Sequence, residues 1–556
     1  MDLRERPFEL TEEQIEWVET SFRAMSLEQK AGQLFCILGN SYSKEERKYL
    51  VGKMGIGAVL FRPAAREKIK VQFEELEKCA SIPLLKAANL EEGGAGILTD
   101  GTYFGSQLQT AAAGSVKYAE YLARTGAAEG REVGVNWSFS PVADIDYNYR
   151  NPITNMRTFG SDSDVVLKYA LAYTEEMQRL KVAAAAKHFP GDGMDYRDQH
   201  LHPTYNTLDI DSWFFSYGKI YQSLIDGGIL SIMAGHIVQP SLVRMINPQI
   251  KEEECLPASL SKEVLTGILR EKMGFNGVII SDATIMGGYT MAMERKKAIP
   301  TSIQAGCDML CFSMDIYEDL EHILNGIKMG ILTEERLDEA VKRILALKAK
   351  VARNENDIFS EKSENIRGKV TREKVKQWRK ECSGRAVTLV KDIQTVIPVT
   401  HKKFSRIRLV LLGENRMHDG TVLETAETFF REKGFETEIY EPFQDDLHGS
   451  KHLPTDRLTL LLLHYPAESN RTAVRIAWCP KHAMEIPRFI HEEATIAISF
   501  ANPYHLQDIP RVQTYINSYC SGTEAVKAAL ERLIGEETFT GINPVDPFCG
   551  LTDTRL

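Results

Sequence analysis

Residues 183–203 read A-A-A-A-K-H-F-P-G-D-G-M-D-Y-R-D-Q-H-L-H-P. The stretch opens as a run of small apolar residues that delivers Lys187 and His188. Pro190, Gly191 and Gly193 then break it, with the strongest punctuation a chain carries. Past the break lies a polar loop holding Asp195, Arg197, Asp198, His200 and His202. A buried strand that feeds a Lys-His pair into a charged, glycine-hinged loop suits a functional site, because binding and catalytic residues tend to sit on loops held by rigid elements. The bland alternative is a solvated loop without chemistry.

The same design recurs to either side. Short apolar runs at 55–61, 82–88, 135–141, 182–188, 229–236, 277–282 and 307–312 read as seven strands. Helical stretches such as 164–180 and 260–272 separate them; residues 11–35 read as helical, with a capping box from Ser26 to Gln29. Apolar strands alternating with helices imply a parallel sheet covered on both faces. An open sheet and a closed barrel both fit. Arg62, Asn89, Lys187, His188, His236 and Asp282 fall at C-terminal strand ends. A (β/α)8 barrel brings all such ends to one face, whereas an open sheet uses mainly those at its switch point. The expected fold is α/β: a (β/α)8 TIM-type barrel over 1–350, a linker and connecting helix over 351–390, and a smaller C-terminal α/β sandwich over 391–556. The connecting helix is expected at 371–391. In the sandwich, 407–412, 458–463 and 495–500 read as strands, and 421–433 and 523–533 as helices.

A chain of 556 residues is too long for one core. Its 43% hydrophobic and 26% charged residues are those of an ordinary globular protein. A net charge of -10 argues against nucleic acid, which needs a basic patch. No apolar run is long enough for a membrane span, and the charged N-terminus lacks an apolar signal core. The nine cysteines contain no C-x-x-C, the pattern of reduced thiols, so a cytoplasmic location is expected, with no metal site and no cofactor.

Two carboxylates stand out. Asp282 ends the strand of G-V-I-I-S-D-A, which places a carboxylate at the barrel mouth; the competing reading is a helix N-cap. Asp198 precedes His200 by two residues, so in an extended loop both side chains point the same way. Asp198 then accepts from one imidazole nitrogen and leaves the other for proton transfer. Lys187, His188 and Arg157, the last in N-P-I-T-N-M-R-T-F-G-S-D, add donors. His236 and Asp308, at or near strand ends, are further candidates for the pocket lining. The Asp338-Glu339 pair lies in an amphipathic helical pattern and reads as a solvated face.

In K-H-F-P-G-D-G, D-Q-H, N-P-I-T-N-M-R-T-F-G-S-D, I-I-S-D, the early M-S-L-E-Q-K-A-G-Q-L-F and the late N-P-Y-H-L-Q-D-I-P-R-V-Q-T-Y-I-N-S-Y, the chain resembles glycoside hydrolase family 3, and within it the bacterial NagZ-type β-N-acetylglucosaminidases. The resemblance spans nearly the whole chain. It implies that Asp282 is the nucleophile, that Asp198 and His200 form the acid/base pair, and that Arg157, Lys187 and His188 contact the sugar and its acetamide neighbourhood. Where the family usually reads D-Q-E-G-G-x-V-x-R, this chain reads N-L-E-E-G-G-A-G-I-L. The sugar-binding Asp falls on Leu90 and the Arg on Leu98, which leaves Asn89 and Glu91 as replacements. Asp192 also stands where K-H-F-P-G-H-G has His.

The expected activity is that of a retaining exo-β-N-acetylhexosaminidase acting on a small carbohydrate, with a covalent glycosyl-Asp282 intermediate. An ordinary imidazole titrates at about 6.5, suited to acid and base roles near neutral pH. A neutral histidine base repels an anionic acceptor less than a carboxylate does, so a phosphorylase on the same site is a rival reading. A β-glucosidase is another, although that subgroup usually takes its acid/base from the second domain. A non-catalytic carbohydrate sensor would show a damaged nucleophile or acid/base position, and both are intact. The sequence leaves open whether the second domain serves its own barrel or that of a homodimer mate.

Overall fold

The computed structural model describes residues 2–351, 370–441, 455–478, 486 and 490–556. Most of the expected linker, 352–369, lies outside the described residues. The chain divides into two compact units: 1–104, 120–145 and 166–371 form the first, and 105–119, 146–165 and 372–556 the second. Two stretches from the first 350 residues thus belong with the C-terminal unit. Hydrogen bonds tie them there, among them Ile542 N–H to the Ala112 carbonyl and Ser161 N–H to the Pro544 carbonyl. The Lys117 ammonium pairs with Glu381 in the same unit.

The first unit is a closed barrel of eight parallel strands: β1 Phe35–Leu38, β2 Ala58–Leu60, β3 Leu85–Ala88, β4 Trp137–Ser138, β5 Ala183–Phe189, β6 Ser231–Ala234, β7 Val278–Ala283 and β8 Met309–Cys311. Neighbours in the barrel are neighbours in sequence, and β1 closes it by pairing with both β2 and β8. Seven of these strands lie inside or overlap the expected runs. The eighth, β1, was not expected as a strand; the helical reading of 11–35 reaches only its first residue, Phe35. The capping box at Ser26 does start a helix, Leu27–Gln33, but that helix is short, and F-C-I-L after it is a strand buried between two partners. An apolar run of four residues carries no period of its own, so a preceding helical pattern absorbs its start.

All seven residues of β5 are buried. Its four alanines leave room inside the barrel, so the strand packs tightly and carries Lys187 and His188 out to the C-terminal rim. After β4 the chain continues beside β5: Ala143 N–H donates to the Lys187 carbonyl at 2.7 Å and Lys187 N–H to the Pro141 carbonyl at 3.1 Å. This extension sets Asp144 next to His188. Among the described residues, no helix is long and apolar enough to cross a membrane.

The second unit holds a six-stranded sheet of β9 Thr388–Asp392, β10 Arg406–Gly413, β11 Glu436–Ile439, β12 Arg457–His464, β13 Thr495–Ser499 and β14 Thr514–Asn517, in the order β9-β14-β13-β12-β10-β11. Only β9 runs antiparallel. Leu458, Leu460 and Leu462 pack into one core and Leu461 and Leu463 into the other, so both faces are covered. The helix expected at 371–391 ends earlier, spanning Arg372–Ala386. The following T-L-V-K-D is β9, because Thr388 to Asp392 pair with β14.

Candidate active site

Asp282 is carried by β7, whose I-I-S run is buried and whose backbone therefore cannot shift. Its Oδ1 accepts from Ala283 N–H at 2.7 Å. Its Oδ2 is buried and has no hydrogen-bond partner. His188 Nε2 lies 3.7 Å from Oδ2. Burial is the largest single influence and pushes this carboxyl up, but His188, His236 and His200 together outweigh it and hold it at about 2. Asp282 is thus an ionised carboxylate with one bare oxygen at the end of its strand, rather than a cap. No hydrogen bond links it to the helix that follows, Gly287–Thr290.

His188 is fixed from behind. Asp144 Oδ2 lies 2.7 Å from His188 Nδ1, and Asp144 Oδ1 accepts from the backbone N–H of His188 at 2.9 Å and of Asp192 at 2.8 Å. Asp144 was not among the expected residues. Its signal was available, a carboxylate in P-V-A-D just past a strand, but the strand's end lay three residues earlier than the rim it reaches. Lys187, 4% exposed, meets Glu91 Oε1 and, at 3.4 Å, Asn89 Oδ1. The structure therefore brings Asn89 and Glu91, after β3, together with Lys187, on β5, across the end of β4. Leu90 turns the other way: a side-chain carbon at Gly126 or Gly130 would sit 3.2 Å from it. Leu90 and Leu98 are buried core residues.

The Asp198-His200 pair forms as expected. Asp198 Oδ1 accepts from His200 N–H at 2.9 Å and lies 2.7 Å from His200 Nδ1. The Asp198 side chain is fully buried, while that of His200 is 24% exposed. The ring is held at Nδ1 by a carboxylate and keeps Nε2 for a proton transfer. The loop docks on the turn after Asp282: Gly287 N–H donates to the His200 carbonyl at 2.8 Å and Gly288 N–H to that of Gln199 at 3.1 Å. Side chains at Gly287 and Gly288 would come within 2.2 Å of the Leu201 carbonyl and 2.8 Å of the Gln199 carbonyl, so only glycine lets the two loops touch.

The remaining candidates separate. His236 is fully buried; Nε2–H donates to the Ala283 carbonyl at 3.1 Å and Nδ1 lies 2.8 Å from the Ser259 hydroxyl. Burial lowers it to about 4, so near neutral pH it is an uncharged support beside the backbone that follows Asp282. Asp308 does not line the mouth. It immediately precedes β8, at the opposite end of the barrel, where Arg270 and Arg336 hold it. Asp338 pairs with Lys30 on the outer helices. Arg157 belongs to the second unit, in the turn Asn155–Arg157, where Gln107 Nε2 donates to its carbonyl at 2.8 Å.

The rim of the parallel barrel thus carries a bare carboxylate at the end of β7 and, on the loop after β5, a histidine held by a carboxylate. The model of the glycosyl hydrolase family 3 N-terminal domain matches residues 26–347, and the chain belongs to that family of glycoside-processing enzymes. A Cellulomonas fimi protein named beta-N-acetylglucosaminidase/beta-glucosidase is 37% identical over 566 residues, covering 100% of both chains. A solved structure of the beta-glucoside phosphorylase BglX, bound to 2FGlc, is 39% identical with a TM-score of 0.92 and covers 99% of each chain. The family 3 beta-N-acetylglucosaminidase of Paenibacillus sp. shares the fold at 23% identity and a TM-score of 0.79, covering 94% of this chain and 99% of its own.

Proposed function

We propose that the protein removes a terminal β-linked N-acetylglucosamine from a small glycoside with retention of configuration. The observation that carries the reading is the pairing of the unpartnered Asp282 Oδ2 with a histidine held by Asp198. Asp282 Oδ2 attacks the anomeric carbon as the C1–O bond to the aglycone breaks, and His200 Nε2–H protonates the leaving oxygen. In the second step His200 takes a proton from the incoming acceptor, which attacks C1 and frees Asp282. Lys187, with Glu91 and Asn89, binds the sugar hydroxyls, and His188 sits against the reacting carboxylate. The N-acetyl preference is supported by the similarity to the Cellulomonas fimi protein.

A second reading, with phosphate as the acceptor and glucose as the sugar, is favoured by the full-length similarity to the beta-glucoside phosphorylase. The neutral base agrees with it, since His200 adds no negative charge to repel an anion. Aryl N-acetyl-β-glucosaminide, N-acetyl-β-galactosaminide and β-glucoside, each assayed with and without phosphate, separate the two. The first reading expects N-acetylglucosaminide over glucoside by at least about a hundredfold in kcat/KM. With Leu90 and Leu98 at positions that are usually charged, the galactosaminide should be accepted better than a tight 4-hydroxyl site would allow. In kcat/KM, which reports the steps through release of the aglycone, His200→Ala should spare activated aryl glycosides and cripple those with poor leaving groups; equal losses on both would sink the acid/base assignment.

A further inference from the structure

We infer that Gln199, between the two members of the acid/base pair, is a positioning residue that locks His200 at a fixed place relative to Asp282. The inference rests on the acid/base reading of Asp198 and His200. Gln199 is 1% exposed, although it lies in a polar loop. All its polar groups point back into the barrel. Its Nε2 donates to Asp192 Oδ2 at 2.9 Å. Its Oε1 accepts from the backbone N–H of His236 at 2.8 Å, and its carbonyl accepts from Gly288 N–H.

Each anchor leads to the nucleophile by a separate route. Asp192 N–H donates to Asp144, which holds His188, whose Nε2 faces Asp282 Oδ2. His236 donates to the Ala283 carbonyl, one residue past Asp282. Gly288 belongs to the turn that leaves Asp282. One residue therefore joins three elements of the rim: its side-chain amide ties the loop after β5 to the end of β6, and its backbone carbonyl ties that loop to the segment after β7. Loops with few buried contacts move, and a proton donor that wanders loses its alignment with the leaving oxygen. Buried amides with both ends satisfied rigidify the groups they join. Gly235 completes the arrangement, since a side chain there would come 3.0 Å from His188 Cβ and 3.2 Å from Gln199 Oε1.

The test uses two variants of the full chain, Gln199→Met and Gln199→Glu, on aryl glycosides with good and poor leaving groups. Gln199→Met should lose about a hundredfold in kcat on the poor leaving group, the size of a misplaced catalytic group, with KM unchanged. On the activated substrate kcat/KM, which reports only the steps through release of the aglycone, should stay within about threefold, because protonation is not needed there. Gln199→Glu keeps the acceptor for His236 N–H but donates to Asp192 only when its own carboxyl is protonated. Around that carboxyl stand Asp192 and His236, with Asp144, His188 and Asp198 behind Asp192. Its deficit relative to the parent, compared at each pH, should shrink as the pH falls. Equal losses on both substrates, or a Gln199→Glu deficit that ignores pH, would overturn the inference and leave Gln199 a packing residue. Should Gln199→Met not fold, the pH behaviour of Gln199→Glu decides alone. If His200→Ala shows the leaving-group effect and both Gln199 variants do not, only this inference fails. If His200→Ala lacks it too, the acid/base reading and the inference fall together.

Discussion

Asp282 and Asp308 are carboxylates on neighbouring strands of one barrel, and they are treated in opposite ways. Asp308, fully buried before β8, accepts from Arg270 Nη2 at 2.5 Å, Arg336 Nη2 at 2.6 Å and Ile279 N–H at 2.9 Å, with Arg343 at 3.5 Å. Asp282, at the end of β7, keeps a buried oxygen with no hydrogen bond. In both, burial pushes the carboxyl up and neighbouring basic side chains outweigh it: Arg270, Arg336 and Arg343 for Asp308, and His188 ahead of His236 and His200 for Asp282. The arginines touch; the histidines stand off, with His188 Nε2 at 3.7 Å. A saturated carboxylate holds the barrel's lower end together, while an unsaturated one at the upper rim has room for a reacting atom. Catalysis at the C-terminal face and stability at the N-terminal face is the division this fold imposes.

Breaking the comparison at its functional side gives the largest effect. Asp282→Asn should lower kcat on the order of 10⁴-fold or more, the scale seen when a nucleophile is removed, and leave the protein folded. A fluorosugar that traps the intermediate should label Asp282 in the parent. Labelling at another carboxylate, with Asp282→Asn still active, would show that the bare oxygen means something else.

At the structural side the effect moves from rate to stability. Asp308→Asn leaves three buried arginines around a neutral amide, and removing one partner of a buried ion pair costs about 3–5 kcal/mol. The midpoint of thermal unfolding should fall by several degrees, while kcat per folded molecule stays near the parent's. A variant as stable as the parent would mean that Glu339, which lies 3.7 Å from Arg336 and 3.6 Å from Arg343, already balances the cluster.

The two carboxylates also mark what could be read before folding. Both end or precede apolar runs, and sequence alone told their strands apart but not their ends. The rim position of Asp282 followed from its place after I-I-S, whereas Asp308 precedes M-L-C and so sits at the other pole. The Asp198-His200 contact was legible because two residues on one loop fix each other locally. Asp144 and Gln199 were not, because their partners, His188 and His236, reach them only through barrel closure. The missed β1 has the same cause: Phe35–Leu38 becomes a strand only once β2 and β8 lie on either side. The interruptions at 105–119 and 146–165, which belong to the second unit, carry no compositional mark at all.

The buried histidine that holds the Ala283 carbonyl, one residue past Asp282, sharpens the comparison further. Burial lowers His236 to about 4 from an ordinary 6.5. Above pH 6.5 it is neutral whether folded or not, so it costs nothing there. Between about 6.5 and 4 the unfolded chain takes up a proton that the folded chain refuses, and stability is lost on acidification, by on the order of 3 kcal/mol across the window. His236→Asn should flatten that part of the stability curve relative to the parent. A slope unchanged between pH 6.5 and 4 would mean that the buried ring is not the group responsible.

The smallest expected effect returns to Asp282 itself. Its carboxyl lies at about 2, below the ordinary 3.8, so the ionised form is the one the fold favours. That contribution is fully present above about pH 4 and disappears as the pH falls towards 2, the opposite end of the scale from His236. It amounts to about 2 kcal/mol. Asp282→Asn, which resembles the protonated carboxyl, should therefore be less stable than the parent by about that much just above pH 4, and the gap should close as the solution is acidified further. Urea unfolding of both proteins at stepped pH values measures it. A variant more stable than the parent at every pH would mean that the unpaired oxygen costs the fold more than the surrounding histidines return, and that the nucleophile is held in place at the expense of stability.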